Sequence, residues 1–311
     1  MRPVGGGHAG WWRLVKVLPV LFLLTCQAQA GGGAGTKEFK GQTAFGYIQQ
    51  QMAFGPRVPN TPAHRRTGDW LEAQLRQRAD TVIVQAFTAR TSEGTTLRLR
   101  NFFARFRPQA TERVLFLAHW DTRPKADKSA NLGQQQLPVP GANDGASGVA
   151  VLLGVADALK ARAPGIGVDL LFVDGEDWGD FGDTTETLLG ARHFVAHMPP
   201  GYTTLFAVLF DMVGDKDLQI LQEGYSVSRA PEVVQRVWDT AQRLGYGSVF
   251  VPTVGEALTD DHVALQQAGI RAIDVIDFTF PYHHTTEDTI DKVSAASLQI
   301  VGDVAIALVR Q

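Results

Sequence analysis

One cysteine, Cys26, stands in 311 residues. A lone cysteine excludes a disulfide framework, so stability has to come from packing and from bound metal. Excess charge of either sign is also missing: the formal net charge is -3 at pH 7. That balance gives no electrostatic reason to hold nucleic acid or an anionic membrane. No internal repeat with a period of about 20–50 residues is visible, which excludes solenoids and propellers. The most apolar stretch, Val17–Leu24, is too short for the roughly 20 residues that a spanning helix requires. His193 and His197 have i, i+4 spacing, but no glutamate follows His193 to act as the base of a zinc-protease helix. Solvated or capping roles are expected for that pair.

What is present fits a globular enzyme. Hydrophobic residues make up 44% of the chain, enough to fill the core of one large α/β domain. Ahead of it, Arg2, Arg13 and Lys16 precede the apolar stretch, and Ala28-Gln29-Ala30 gives a small-x-small cleavage signal. We expect residues 1–30 to be a signal peptide, 31–40 a linker and 41–311 the catalytic domain. The protein is then exported, periplasmic or secreted, with no transmembrane span in the mature chain. A second reading makes Cys26 a lipid anchor after Leu23-Leu24-Thr25, although Thr25 is a poor residue in that position.

Two helices, Gly41–Met52 and Pro62–Arg76, flank Phe54–Pro59. Thr81–Phe87 and Thr96–Phe106 alternate apolar and polar residues, as antiparallel strands do. The polar stretch Asp121–Gly141 is too long for a plain connection, and loops of that length are usually functional or disordered. Later helices are expected at Gly145–Arg162, Thr187–His197, Ala230–Leu244, Asp261–Ala268 and Ser294–Val309. This alternation predicts a single doubly wound domain with a mostly parallel, mixed central sheet and helices on both faces.

Four apolar runs end in residues that bind metals. Arg113–Trp120 runs into His119 and Asp121, Asp169–Asp174 into Glu176 and Asp177, Leu205–Asp211 ends on Asp211, and Ala272–Phe278 precedes His283 and His284. Such runs read as buried parallel strands, and ligands bind beyond the carboxyl ends of those strands. Taken alone, Asp144 would be a helix cap, Asp211 a turn residue and His284 a surface or core histidine. Together they imply a metal site with nitrogen and oxygen donors, which suits zinc. Adjacent Glu176 and Asp177 can divide the work, one carboxylate binding metal while the other moves protons at a raised pKa. Asp260-Asp261-His262 opens another helix; capping accounts for one acid, and Asp260 is expected to reach the site.

At these residues the chain resembles the zinc-dependent aminopeptidase superfamily, and within it the glutaminyl cyclases, over about Gln42 to Arg310. The shared pieces are Phe54–Pro59 (FGPRVP), Ala118–Asp121 (AHWD), Gly141–Gly148 (GANDGASG), Phe172–Asp177 (FVDGED), Asp260–His262 (DDH) and His284–Asp288 (HTTED). The segment Thr122–Asp127 looks like the bacterial cyclase branch. The resemblance implies that Asp144, Asp177 and His284 hold zinc, that Glu176 is the acid–base, and that Asp211 and Asp260 support it. In two-zinc relatives the Asp144 position bridges both ions, and those of His119 and Asp211 bind the second. All five ligand positions are kept, so spacing leaves one zinc or two open. Two positions depart from the pattern: Asp177 replaces a common glutamate, and His283 stands where cyclases usually have tryptophan. The implied substrates are peptide or protein N-termini. The implied reaction is cyclisation of N-terminal glutamine to pyroglutamate with loss of ammonia. The alternatives are a metallo-aminopeptidase, with water as nucleophile, and a metal-binding module without catalysis.

Overall fold

The structure is a computed structural model that describes residues 6–11, 37–181 and 184–310. Residues 6–11 carry no regular secondary structure. The leader, its cleavage site and Cys26 otherwise lie outside the described residues. Residues 37–40, expected in a linker, pack with the domain: Phe39 is buried in the main core.

The elements run α1 (Gly41–Phe54), α2 (Pro62–Arg76), β1 (Thr81–Arg90), β2 (Thr96–Phe106), β3 (Arg113–His119), α3 (Ala146–Ala161), β4 (Gly167–Val173) and α4 (Leu189–Ala196). They continue with β5 (Ala207–Asp211), β6 (Ile220–Gln222), α5 (Gly224–Arg229), α6 (Pro231–Arg243), β7 (Phe250–Val254), α7 (Asp261–Gln267), β8 (Ala272–Ile276) and α8 (Ala295–Arg310). The main sheet has the order β1-β2-β4-β3-β5-β8. β1, β2 and β4 pair antiparallel, while β4, β3, β5 and β8 form a parallel block. This is the mixed, mostly parallel α/β sheet that the sequence pattern implies.

The parallel strands are buried throughout, because helices cover both faces. Alternate residues of β3 divide between two cores. Val114, Phe116 and Ala118 join the α1, α3 and α8 side, whereas Leu115 and Leu117 join Ala191 and Phe194 of α4 and Ala264 and Leu265 of α7. Each Val, Leu or Phe among them, fully buried, contributes about 1.5–3 kcal/mol before entropy is counted. At the strands' amino ends, Asp169 is buried and receives the Arg113 guanidinium at 2.6 and 2.7 Å. The carboxyl ends are thereby left for the site.

Some elements differ from the sequence reading. α4 starts at Leu189 because Leu188 takes a left-handed backbone (φ 55°), and a 3₁₀ turn at Thr184–Glu186 precedes it. The 230–244 helix has a separate predecessor, α5, divided from α6 by Ala230 with Pro231 at the first helical turn. β6 and β7 form a small parallel pair of their own that the apolar pattern does not reveal. No helix among the described residues is long and apolar enough to cross a membrane.

Candidate metal centre

The parallel block sets four chain segments side by side at one end. β3 stops at His119, β4 is followed by Asp174–Asp177, β5 stops at Asp211, and β8 leads to His283 and His284. The turn into α3 brings in Asp144. Gly145 makes that turn possible: its φ is +85°, and a Cβ there would lie 2.6 Å from the Asp121 carbonyl oxygen and 3.1 Å from His119 Cε1. Gly148, one turn on, lets α3 lie against the Phe210 carbonyl of β5. Met212 and His284 are both left-handed, with φ of 47° and 57°. Non-glycine residues in that conformation carry strain, and they cluster at functional sites.

Two groups of donor atoms share Asp144. His284 Nε2 lies 3.2 Å from Asp177 Oδ1 and 3.6 Å from Asp144 Oδ2. His119 Nε2 lies 3.1 Å from Asp211 Oδ1 and 3.2 Å from Asp144 Oδ1. The ligand atoms of His119, Asp144 and Asp211 lie within 4.8 Å of one another, as do those of Asp144, His283 and His284. Glu176 Oε2 lies 3.7 Å from His119 Nδ1. Asp144 Oδ2, Asp177 Oδ2 and His119 Nδ1 are buried without a hydrogen-bond partner. Unmet buried oxygens of this kind are costly unless a cation or proton satisfies them. Nitrogen and carboxylate donors in this arrangement fit a divalent ion such as zinc.

The electrostatics set the acids apart. Burial pushes Glu176 well above its ordinary pKa; His119 opposes this, and Asp177, Asp260 and Asp261 add to it. Burial likewise lifts Asp211 to about 7, against the pull of His119. For Asp144 burial is outweighed by His119 and His284, which hold the carboxyl below its ordinary value. Burial also lowers His283 to about 3, with help from His284, so its ring is neutral.

Other residues hold this frame, and of these only Asp121 is expected from the sequence among the metal-binding residues. Arg57 is fully buried and donates to four backbone carbonyls: Trp120 at 3.3 Å, Pro140 at 2.7 Å, Gly141 at 2.6 Å and Asp144 at 3.3 Å. Asp288 accepts the N–H groups of Asn143 and Asp144 at 2.8 and 3.0 Å. Asp121 accepts those of Glu176 and Asp177 at 3.2 and 3.3 Å. It fixes the backbone of the acid pair. Arg123 donates to Asp177 Oδ1 at 3.0 Å and grips Asp127 with two bonds of 2.9 and 2.6 Å. Arg57, Arg123 and Asp288 all lie in segments the sequence singles out, but a buried arginine serving carbonyls leaves no spacing signature.

All the residues expected at the site converge. Asp144, Glu176, Asp211, Asp260 and His284 line one cavity of about 370 Å³, with His119 and Asp177 buried behind it. Asp260 also caps α7 through the Asp261 N–H, so the one residue both caps the helix and reaches the cavity. His193 and His197 stay apart from this cavity. They stack on each other, and His193 stacks on Phe87 with 4.1 Å between ring centroids. The polar stretch 121–141 packs into the domain, with Ala126, Ser129 and Val139 buried.

Residues 101–309 match Peptidase family M28, and the chain belongs to that family. Solved structures similar to it carry both activities of interest. A glutaminyl cyclase from Porphyromonas gingivalis is 39% identical, with a TM-score of 0.82 over 87% of this chain and 98% of that one. A leucine aminopeptidase precursor from Bacteroides thetaiotaomicron is 35% identical, with a TM-score of 0.84 over 88% of this chain and 97% of that one. Aminopeptidase YwaD of Bacillus subtilis is 28% identical over 76% of this chain, but the match spans only about half of that relative (48%).

Proposed function

We propose that the protein cyclises the N-terminal glutamine of peptides to pyroglutamate, releasing ammonia, with zinc held by Asp144, Asp177 and His284. The observation that carries this reading is the place of the Thr122–Asp127 segment, the stretch that looks like bacterial cyclases. Arg123 bonds Asp177, and Asp127 Oδ1 lies 3.8 Å from His284 Nδ1, so the segment forms part of the site wall.

Zinc, when bound, supplies a Lewis acid that polarises the γ-carboxamide carbonyl and stabilises the charge that develops on its oxygen. Glu176 takes a proton from the α-amine nitrogen as that nitrogen attacks the side-chain carbon. It returns a proton to the departing nitrogen, which leaves as ammonia as the carbon–nitrogen bond of the carboxamide breaks. Its raised pKa suits both transfers near neutral pH. Asp211 and Asp260 face the same cavity and accept hydrogen bonds from the amine. Leu258, Ile276 and Phe278 give the aliphatic stem of glutamine an apolar wall. His283 serves in place of tryptophan as an uncharged ring, packed edge-on to Phe278 at 5.3 Å.

A second reading, metallo-aminopeptidase, is favoured by the compact His119, Asp144 and Asp211 group, which offers a second metal position. A coupled ammonia assay with Gln-initiated dipeptides decides between them. Ammonia released with the peptide bond intact supports cyclisation. Free N-terminal amino acids without ammonia refute it and leave the peptidase. We also propose export, with mature chains starting near Gly31. Mass spectrometry that finds a diacylated Cys26 at the N-terminus replaces that with lipid anchoring.

A further inference from the structure

A second hollow opens beside the catalytic cavity. It has a volume of about 340 Å³ and shares Leu258, Ile276 and Phe278 with it. Its other apolar members are Leu221 of β6 and Val254 at the end of β7. Val254 and Phe278 are 57% and 40% exposed, two of the large apolar side chains that the domain leaves in water. Apolar side chains exposed together beside a polar cavity mark a binding surface. The trough is also held in shape. Glu223 Oε1 accepts the Leu258 N–H at 2.8 Å and fixes the loop that separates the two hollows. The trough's acidic members are Glu223 and Glu256.

We infer that this trough binds an apolar side chain of the substrate peptide, downstream of its N-terminal residue. This rests on the proposed reading that the substrate is a peptide N-terminus. The amine must face Glu176, Asp211 and Asp260, so the following residues lead away from them. An extended chain advances about 3.3 Å per residue. One wall of three side chains bounds both hollows, so the second or third residue falls at the trough. Glu256, exposed at the trough, disfavours an acidic side chain there by like-charge repulsion, whereas Glu223 is buried and paired with His262. The enzyme therefore prefers peptides that are apolar just after the reacting residue, and discriminates against acidic ones.

The test compares kcat/KM for Gln-X-Ala and Gln-Ala-X peptides, with X as Phe, Ala or Glu. Phe should exceed Ala at one of the two positions by about tenfold, the factor expected when roughly one apolar side chain leaves water. Glu should fall below Ala. Val254→Asp, with Leu221→Ala as a second variant, should bring the Phe-to-Ala ratio near one while leaving the Gln-Ala-Ala rate unchanged. A wild-type ratio near one at both positions overturns the inference. So does a ratio that survives both variants. Ammonia and free amino acids are measured separately. If only amino acids appear, cyclisation fails, yet the ratio still reports on the trough, because X follows the reacting residue in either reaction. Calorimetric binding of the same peptides to Glu176→Gln gives a readout independent of turnover, and equal affinity for Phe and Ala peptides there also overturns it.

Discussion

Replacing Arg57 with methionine tests whether the metal centre depends on its buried cation. Arg57 is wholly buried, and desolvation lowers its pKa from 12.5 to about 10, partly offset by Asp288, Asp144 and Asp121. It is still protonated at pH 7, at a cost of about 3 kcal/mol for carrying the charge. Against that stand its hydrogen bonds. Those to Pro140 and Gly141, at 2.7 and 2.6 Å, are short and charge-assisted. Bonds of that kind contribute about 1.5–3 kcal/mol each, and carbonyls left unpaired in the interior add a similar penalty. The two bonds at 3.3 Å contribute less. Hydrogen bonding therefore outweighs desolvation, and Arg57→Met should destabilise the folded protein by about 3 kcal/mol. Urea unfolding of metal-loaded wild type and variant measures this. Zinc affinity should fall with it, because the loop from Pro140 to Asp144 loses its anchor. A difference below about 1 kcal/mol with unchanged zinc affinity refutes the reasoning.

Glu176→Gln should lose about 10²–10⁴-fold in rate with zinc content near wild type, whereas Asp177→Ala should lose zinc first; elemental analysis beside the kinetics separates the two. Chelation of the loaded enzyme should abolish turnover and lower Tm, since it leaves the Asp144 and Asp177 oxygens without a cation, and scanning calorimetry reads this directly. Glu223 links stability to acid. Burial raises its pKa, but His262, Ser226 and the Leu258 N–H bring it down to about 2, against an ordinary 4.5. A depressed carboxyl stabilises the fold above its unfolded pKa, and that contribution fades as pH falls from about 4.5 to about 2. Glu223→Gln should therefore be about 2–3 kcal/mol less stable than wild type at pH 7, and the gap should close toward pH 2 in urea titrations.

The chemistry was more legible in the sequence than the framework that holds it. Ligand-type residues sit at or just after the ends of apolar runs, and parallel strands must bring such ends together, so His119, Asp177, Asp211 and His284 announced their convergence; Asp144, ahead of a helix in a glycine-rich turn, joined them only by its company. Arg57 and Asp288 did not. Their partners are backbone groups of other segments, and no residue type records which carbonyl a guanidinium serves. The two-stranded sheet escaped for another reason: β6 has three residues, and three of the five in β7 are exposed, so neither forms an apolar run. The left-handed turn at Leu188 was equally silent, since leucine ordinarily favours the helix that begins one residue later.

Asp144 turns one oxygen toward His119 and the other toward His284. A single rigid carboxylate thus belongs to both halves of the centre, and rotating it to suit one half moves it away from the other. Substitutions at His119 and His284 should then be energetically coupled. A double-mutant cycle read by thermal unfolding should show an interaction energy of about 0.5–3 kcal/mol between them, carried by the shared aspartate, and strict additivity would argue that Asp144 serves one half alone. If coupled, the two halves are not free to diverge: a lineage that retunes one position for a new reaction inherits a constraint from the other.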